Sequence, residues 1–297
     1  MKYPVTDLAA EARSEYMSRY AQANEGKIDG VEYSDVQEGT FSVSTIDILN
    51  EDGMRAVGKP CGRYITLSFP DINNMGSEDF SRLCSLLARL LRELCEHIAK
   101  DAKSVLLCGL GNERLSADAF GPKAVKNVLI THHLKEEAEK VFASSGLFDV
   151  SAFYPDVSAH TGLDSGRLLA AAVKEAKPDI IIAADSLCAR EHTRICKTVQ
   201  LCSAGITPGS GVGNAKHPIT NESMGVPVIA LGVPTVIDTA TLICDAAGKD
   251  AAKDAPSGFF VCPKDMDTIC EKLSRLVGFA ISRAFHGELS IEEMILL

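Results

Sequence analysis

The sequence lacks the features by which several large protein classes are recognised. No apolar run reaches 18 residues, which argues against an ordinary transmembrane helix. The first residues also lack the apolar core of a secretory signal. The formal net charge is −10, and no basic run is present that would suit DNA or an anionic membrane surface. We therefore expect no direct nucleic-acid binding and no membrane association.

Several familiar site motifs are missing as well. There is no H-E-x-x-H, no G-x-S-x-G and no G-x-x-x-x-G-K-[ST], so a zincin, a serine hydrolase elbow and a P-loop NTPase are poor interpretations. None of the ten cysteines forms a C-x-x-C, which disfavours a cysteine-ligated zinc site. Their scatter along a chain without a signal segment predicts reduced, buried thiols in a cytoplasmic protein.

The apolar pattern predicts an α/β protein. With 297 residues, 46% of them hydrophobic, the chain is long and apolar enough to be globular. Strands separated by helices predict a central mixed, mostly parallel sheet with helices on both faces. No linker divides the chain, so we expect a single domain. Strands are predicted at 41–49, 62–69, 104–110, 148–153, 179–185, 198–201 and 226–234, helices at 80–98, 119–134, 164–176 and 266–284, and a surface connection at 244–258.

Two aspartates stand next to two of the predicted buried strands. Asp118 follows 104–110, and Asp185 ends 179–185. Ligands of open α/β sheets bind outside the carboxyl ends of the strands, so both acids are candidates for one cleft. Two carboxylates in one pocket repel, and one of them tends to keep a proton, which suits acid–base activation of water. The plainer interpretations are a helix cap for Asp118 and a strand-end turn for Asp185.

Two glycine-rich stretches are candidates for backbone contacts to a peptide or an anion. One follows the strand at 104–110, and the other is the loop 205–214. The first lacks the third glycine and the acidic partner of a dinucleotide fingerprint, so nucleotide binding is disfavoured. A tight turn and a flexible surface loop are the alternatives. The candidates are Gly109, Gly111 and Asn112 in the first stretch, and Gly209, Gly211 and Gly213 in the second.

Five segments carry a resemblance to a known family. They are G-K-P at 58–60 with G-R-Y-I-T-L at 62–67, G-L-G-N at 109–112 with A-D-A-F-G-P at 117–122, A-A-D-S-L-C-A-R at 183–190, G-I-T-P-G-S-G-V-G-N at 205–214, and G-V-P-V-I-A-L-G-V-P-T-V-I-D at 225–238. Together they resemble the germination protease family of endospore-forming bacteria. The likeness runs in order from about residue 4 to 286.

The resemblance implies an endopeptidase that initiates degradation of small acid-soluble spore proteins during germination. It implies a self-processing zymogen that forms a homotetramer in the cytoplasm of the forespore and spore core. The family's proposed catalytic aspartates fall on Asp118 and Asp185. One departure is Thr207, where a histidine is expected in other members.

The resemblance leaves two alternatives open. The implied fold is similar to that of hydrogenase maturation proteases, in which equivalent acids contact a metal. No cofactor is expected, but a divalent metal at the aspartate pair, as in a metal-dependent processing peptidase, is one alternative. A non-catalytic peptide-binding module is the other.

The N-terminal segment resembles the sequence that the family cleaves in its substrates. Residues 6–11, T-D-L-A-A-E, match the character of Thr/Ser-Glu-Phe/Ile-Ala-Ser/Thr-Glu at each position. The resemblance predicts cleavage between Asp7 and Leu8, with 1–7 as propeptide and 8–297 as the peptidase domain. The alternative is that Thr6 or Asp7 only caps the first helix.

Overall fold

A nine-stranded sheet forms the centre of the molecule. The computed structural model describes residues 6–20, 28–210, 216–248, 250–253, 255–256 and 258–287. The strands are β1 (Val31–Glu38), β2 (Phe41–Ile48), β3 (Gly62–Ser68), β4 (Ser104–Gly109), β5 (Asp149–Phe153), β6 (Ile180–Ala189), β7 (Thr198–Cys202), β8 (Val228–Asp238) and β9 (Phe260–Val261). Eight of them lie in the order β1-β2-β3-β7-β8-β6-β4-β5, and β9 pairs with β8.

The sheet is mixed, as predicted, but its parallel part is confined to four strands. β5, β4, β6 and β8 are parallel neighbours. Every other pairing is antiparallel, so the parallel part is smaller than the mostly parallel sheet that we predicted. A two-residue turn joins β1 to β2, and so short a connection permits only antiparallel pairing. The sequence pattern missed β1 because its side chains are largely exposed and polar.

Helices cover both faces of the sheet, which confirms that part of the prediction. Along β4, Val105 and Leu107 face one cluster of buried residues, and Leu106 and Cys108 face another. The helices are α1 (Ala9–Tyr20), α2 (Glu51–Val57), α3 (Ser77–Ile98), α4 (Phe120–Lys126), α5 (His132–Glu137), α6 (Glu139–Ser145), α7 (Ser158–Thr161), α8 (Ser165–Ala176), α9 (Asn221–Met224), α10 (Thr239–Ala247) and α11 (Met266–His286). Among the described residues, no helix is both long and apolar enough to cross a bilayer.

The two longest helices build the core on one face. In α3, the residues Leu83, Leu87, Leu91 and Leu94 recur at helical spacing, and each is at most 1% exposed. They pack with α11 and with the odd-numbered side chains of β4. Burying a leucine stabilises a fold by about 1.5–3 kcal/mol, so these four residues contribute strongly to the stability of the helix layer on the sheet.

Two predicted segments differ from the structure. The helix expected over 119–134 ends at Lys126, where the Asn127 side chain donates to the carbonyl of Lys123 at 2.8 Å. Gly278 of α11 approaches so closely that a Cβ there would lie 2.4 Å from Asn127 Cβ. The predicted surface connection at 244–258 begins inside α10, which Asp238 caps through the N–H of Thr241. The end of α4 thus involves a contact with a distant part of the chain, whereas the start of α10 has a local cap.

Candidate active site

Asp185 lies within a strand, not at its end. β6 continues to Ala189, so the predicted strand end at residue 185 was wrong. Ala184 is nevertheless the last residue of β6 that pairs with β4, and its carbonyl accepts from the N–H of Leu110 at 2.8 Å. Asp185 is therefore the first residue of β6 past the end of β4. That is the sheet edge at which α/β proteins bind ligands.

Asp118 reaches this edge from the loop after β4. It ends a short 3₁₀ turn, and its Oδ2 accepts from the N–H of Asn112 at 2.9 Å. Gly111 makes this approach possible, because its φ is 119° and a Cβ there would lie 2.0 Å from the carbonyl oxygen of Asp118. From the other side, Thr235 donates to the carbonyl of Ala117 at 2.6 Å. The turn is thus held by the loop after β4 on one side and by β8 on the other.

A β-bulge explains how Thr235 reaches this turn. Leu187 pairs with Pro234 and Cys188 with Val236, so Thr235 is the extra residue of β8. A bulge changes the direction of a side chain, and bulges are common beside active sites. Pro234 has no N–H for the ladder, which suits an irregular position.

The glycine-rich candidates have different positions. Gly109 is a close-packing residue, since a Cβ there would lie 2.6 Å from the carbonyl oxygen of Gly121. The Asn112 N–H is already bonded to Asp118, so it is not available to a substrate. Gly209 lies on the wall of the cleft with a φ of 74°. Gly211 and Gly213 lie outside the described residues.

Asp118 and Asp185 line one cavity of about 840 Å³. Asp185 is only 7% exposed, and burial raises its pKa well above the usual range. The carboxylate of Asp118 raises it further, and that of Asp7 contributes as well. Burial also raises the pKa of Asp118, against the opposing effect of the Asn112 N–H. The pair therefore favours a state in which at least one carboxyl keeps its proton.

The N-terminal segment reaches this cavity at Asp7. The N–H of Asp7 donates to the carbonyl of Cys188 at 3.0 Å, and the N–H of Cys188 donates to Asp7 Oδ2 at 2.9 Å. Lys59 Nζ donates to the carbonyl of Thr6 at 3.1 Å. Leu8 and Ala9 are fully buried. Asp7 is therefore a lining residue of the cavity, and the predicted cleavage bond leads from it to the buried Leu8.

Glu11 anchors the same segment to the end of β6. Its carboxylate is fully buried and accepts from the N–H groups of Arg190 and Glu191, both at 2.9 Å. The hydroxyl of Thr6 donates to the same carboxylate, and Arg194 Nε lies 3.8 Å from it. Burial raises the pKa of Glu11, although these hydrogen bonds act in the opposite direction. Thr6 therefore does more than cap a helix. Its hydroxyl accepts from the Leu8 N–H at 2.9 Å and also donates to the buried Glu11.

Sequence reasoning missed three residues of this site. Glu11 belongs to the N-terminal segment and Gln200 contacts it, and both are buried polar residues. Lys59 was noticed only as part of the resembling segment at 58–60. The available signal for Gln200 was a polar residue inside the apolar run of β7, whose residues are all buried. Such a residue requires hydrogen-bond partners, which a sequence alone does not identify.

The donor set for a metal is small. Within the part of the chain that the structure describes, no group of three or more His, Cys, Asp or Glu side chains is arranged to hold a metal ion. Asp118 Oδ2 and Asp185 Oδ1 each accept from a backbone N–H, which leaves one oxygen of each carboxylate for the cavity. His160 contacts Asp156 at 3.0 Å and is not part of the cavity wall.

Comparison with known proteins identifies relatives over most of the chain. The family description "Germination protease" matches residues 8–248. The germination protease of Clostridium tetani is 33% identical over 321 aligned positions, which cover 97% of each chain. That of Caldanaerobacter subterraneus is 41% identical, over 81% of this chain and 71% of the relative. That of Bacillus subtilis is 39% identical, over 81% of this chain and 65% of the relative.

One solved structure has a weaker likeness. It is a [NiFe] hydrogenase maturation protease from Thermococcus kodakarensis, which is 16% identical with a TM-score of 0.34. The match covers 65% of this chain and 98% of that one. A similarity at this level carries no argument about function.

Proposed function

The chain belongs to the germination protease family, and we propose that it is an endopeptidase that initiates degradation of small acid-soluble spore proteins during germination. The observation that carries this proposal is the docked segment. Asp7 of the chain's own N-terminal segment lines the cavity that holds the two carboxylates, and its backbone is bonded to Cys188 and Gln200. A cleft that binds peptide backbone beside a protonated carboxyl suits peptide hydrolysis.

Asp118 and Asp185 divide the acid–base work in this proposal. Asp185 is the more deeply buried acid, and its pKa is raised by burial first and by Asp118 second, so it is the proton holder. Asp118, as carboxylate, takes a proton from water while the water oxygen bonds to the carbonyl carbon. Asp185 then gives its proton to the leaving nitrogen as the C–N bond breaks. General acid–base catalysis of this kind contributes about 10²–10⁴ in rate.

The same proposal includes self-processing between Asp7 and Leu8. The support is that both residues on the two sides of this bond are held, Asp7 by Cys188 and Leu8 by complete burial. Residues 1–7 would then be a propeptide and 8–297 the peptidase domain. From the family relation alone, we also propose that the protein forms a homotetramer and is located in the forespore and spore core.

A divalent metal between the two aspartates is the alternative mechanism. One unused oxygen on each of two carboxylates is fewer than the ligands that such ions ordinarily take from a protein. The described residues therefore do not fit a metal on their own, and no step above passes through one.

The test is to incubate the purified full chain with a small acid-soluble spore protein. Mass spectrometry of the products gives the cleavage positions, and intact mass of the chain gives its own processing. We expect cleavage by the wild type and a loss of about 10³-fold or more in Asp118→Asn and Asp185→Asn. A folded Asp185→Asn chain with wild-type turnover would remove the aspartate mechanism. Loss of activity with a chelator, restored by a divalent ion, would favour the metal alternative.

A further inference from the structure

The side chain of Gln200 brackets the peptide bond between Asp7 and Leu8. Its Nε2 donates to the carbonyl of Asp7 at 3.3 Å, and its Oε1 accepts from the N–H of Ala9 at 2.8 Å. Gln200 is only 6% exposed, so its amide has exchanged water for these two partners. The Ala9 N–H needs an acceptor, so the amide oxygen of Gln200 must face it. The Nε2 group of the same amide then points at the Asp7 carbonyl.

The sheet register places Gln200 opposite Asp185. Both residues pair with Gly232, Asp185 from β6 and Gln200 from β7. Residues in register point to the same face, so the two side chains stand about 10 Å apart at their backbones, two strand spacings, on either side of a glycine. A Cβ at Gly232 would lie 2.5 Å from the Leu187 side chain, which takes the space above it. The apolar side chain of Leu187 therefore lies between Asp185, which holds a proton, and the amide donor of Gln200.

We propose that Gln200 is a catalytic residue that stabilises the oxyanion formed at the carbonyl of the bond being cut. This inference rests on the proposed peptidase function. When the water oxygen bonds to the carbonyl carbon of Asp7, the electron pair of the C=O bond moves to the oxygen, and Gln200 Nε2–H donates to it. The pair returns as the C–N bond breaks, and the leaving nitrogen of Leu8 takes a proton.

The position of the donor supports a role in the transition state. Gln200 Nε2 lies 3.3 Å from the Asp7 carbonyl oxygen, and a donor at this position interacts more strongly as negative charge develops on that oxygen. The neutral amide suits the site as well. A cation at this position would favour ionisation of Asp185, whereas an anion would repel the developing charge.

The contact is also independent of the side chains of the bound peptide. Gln200 contacts only a carbonyl and an N–H of the peptide main chain. Lys59 likewise contacts the carbonyl of Thr6. A substrate that replaces the N-terminal segment can therefore use the same bracket, whatever residues flank its scissile bond.

The test compares three variants of the full chain. Gln200→Met removes the donor and nearly keeps the volume, and Gln200→Glu keeps the shape. Thr66→Val is the matched control, because Thr66 pairs with Gln200 from the neighbouring strand and is buried on the same face. The measurements are the rate of self-cleavage at Asp7–Leu8, followed by kcat and KM of the processed enzyme on a synthetic peptide with the sequence of residues 4–13.

For Gln200→Met we expect kcat to fall about 10²–10³-fold, the range for loss of one oxyanion donor. KM should rise by only about 2- to 12-fold, because the acceptor for the peptide N–H is lost as well. Thr66→Val should keep kcat. For Gln200→Glu, the ratio of its rate to that of the wild type should rise as pH falls, because a protonated carboxyl regains a donor. A merely structural residue would not produce this rise.

Three results would overturn the inference. They are a Gln200→Met kcat within threefold of wild type, an equal loss in Thr66→Val, or a change confined to KM. If Gln200→Met does not fold, a pH-independent rate ratio for Gln200→Glu overturns it instead. A wild-type chain that cleaves neither its own N-terminus nor the peptide contradicts the proposed function itself, which is a separate failure.

Discussion

The carboxylate of Asp7 in the N-terminal segment disfavours ionisation of Asp185 in β6 across the cleft. Burial is the largest cause of the raised pKa of Asp185, Asp118 is the second, and Asp7 also contributes. The bound segment therefore influences the protonation of the acid that would cleave it. Because Asp7 is held by the Cys188 N–H at 2.9 Å, it cannot turn away without losing that hydrogen bond.

Asp7→Asn should lower the pKa of Asp185. The amide oxygen of asparagine still accepts from Cys188, while the negative charge is removed. Carbon-13 NMR of the Asp185 carboxyl across a pH titration measures the change. Asp52→Asn is the control, because Asp52 is exposed and outside the cavity. An Asp185 titration that is identical in Asp7→Asn and wild type would show that the two carboxylates do not interact.

Asp185→Asn should stabilise the fold at neutral pH. A carboxyl whose folded pKa is raised binds its proton more tightly in the native state than in the unfolded state. Its contribution is fully present below the unfolded pKa of about 4 and is lost as pH rises through the folded pKa. Burial and Asp118 raise the pKa of Asp185, so the wild type should lose stability over that window, whereas the asparagine variant should not.

Thermal unfolding at several pH values measures this difference. The variant should melt above the wild type at pH 8, by about 2 °C for each kcal/mol regained in a chain of this size. The gap should close at pH 4. A gap that is the same at both values would mean that the asparagine acts through packing and not through the proton.

The sequence predicted that Asp118 and Asp185 line one cleft, but it did not predict the residues and strand ends around them. Asp118 and Asp185 were predicted together because both stand beside apolar runs, a local signal. The end of β6 was misplaced because Asp185 and Ser186 interrupt the apolar run, although pairing with β8 continues to Ala189. That continuation is set by a partner strand some 50 residues away in sequence.

Gln200 and Lys59 were beyond sequence reasoning for a related reason. Gln200 faces the cleft only because β7 inserts antiparallel between β3 and β8. Lys59 reaches the carbonyl of Thr6 across 53 positions of sequence. Neither residue belongs to a periodic pattern. Where the side chain of a single polar residue among apolar ones points cannot be inferred until the strand order is known.

Gly111→Ala should abolish activity and reduce stability. The new Cβ would lie 2.0 Å from the carbonyl oxygen of Asp118, so the turn that carries this acid would have to move. Gly146→Ala is a matched control, since Gly146 also has a positive φ, 71°, but open space around it. The control should cost only the backbone strain of about 1–2 kcal/mol and keep activity. Peptidase assays and urea unfolding of both variants decide the matter. Equal activity in the two would mean that Gly111 does not position Asp118.

The cysteines should be free thiols with very different reactivity. All ten are within the described residues, and none forms a disulfide. The prediction that they are buried fails for Cys61 and Cys262, which are exposed, and Cys244 is only partly buried. Burial raises the pKa of Cys84 to about 11 and of Cys95 to about 12, so these thiols should resist alkylation. Mass spectrometry after brief iodoacetamide treatment should find Cys61 and Cys262 modified first. Thiol counting under denaturing, non-reducing conditions should give ten, and a count of eight or fewer would indicate disulfides.

Glu11→Gln should release the N-terminal segment from the cleft. The wild-type carboxylate offers two acceptor oxygens to the N–H groups of Arg190 and Glu191, whereas an amide offers one oxygen and presents an NH₂ to the other. A buried donor left without a partner costs about 1–3 kcal/mol, so amide exchange in residues 8–12 should accelerate by about 5- to 150-fold. Hydrogen exchange with mass spectrometry measures this on the full chain.

Glu78→Gln is the control, because Glu78 is also in the first turn of a helix but is exposed. Since Asp7 and Leu8 are positioned by the same segment, self-cleavage should slow in Glu11→Gln, while cleavage of an added peptide should not. Unchanged exchange in this segment would mean that Leu8 and the alanines hold it without Glu11.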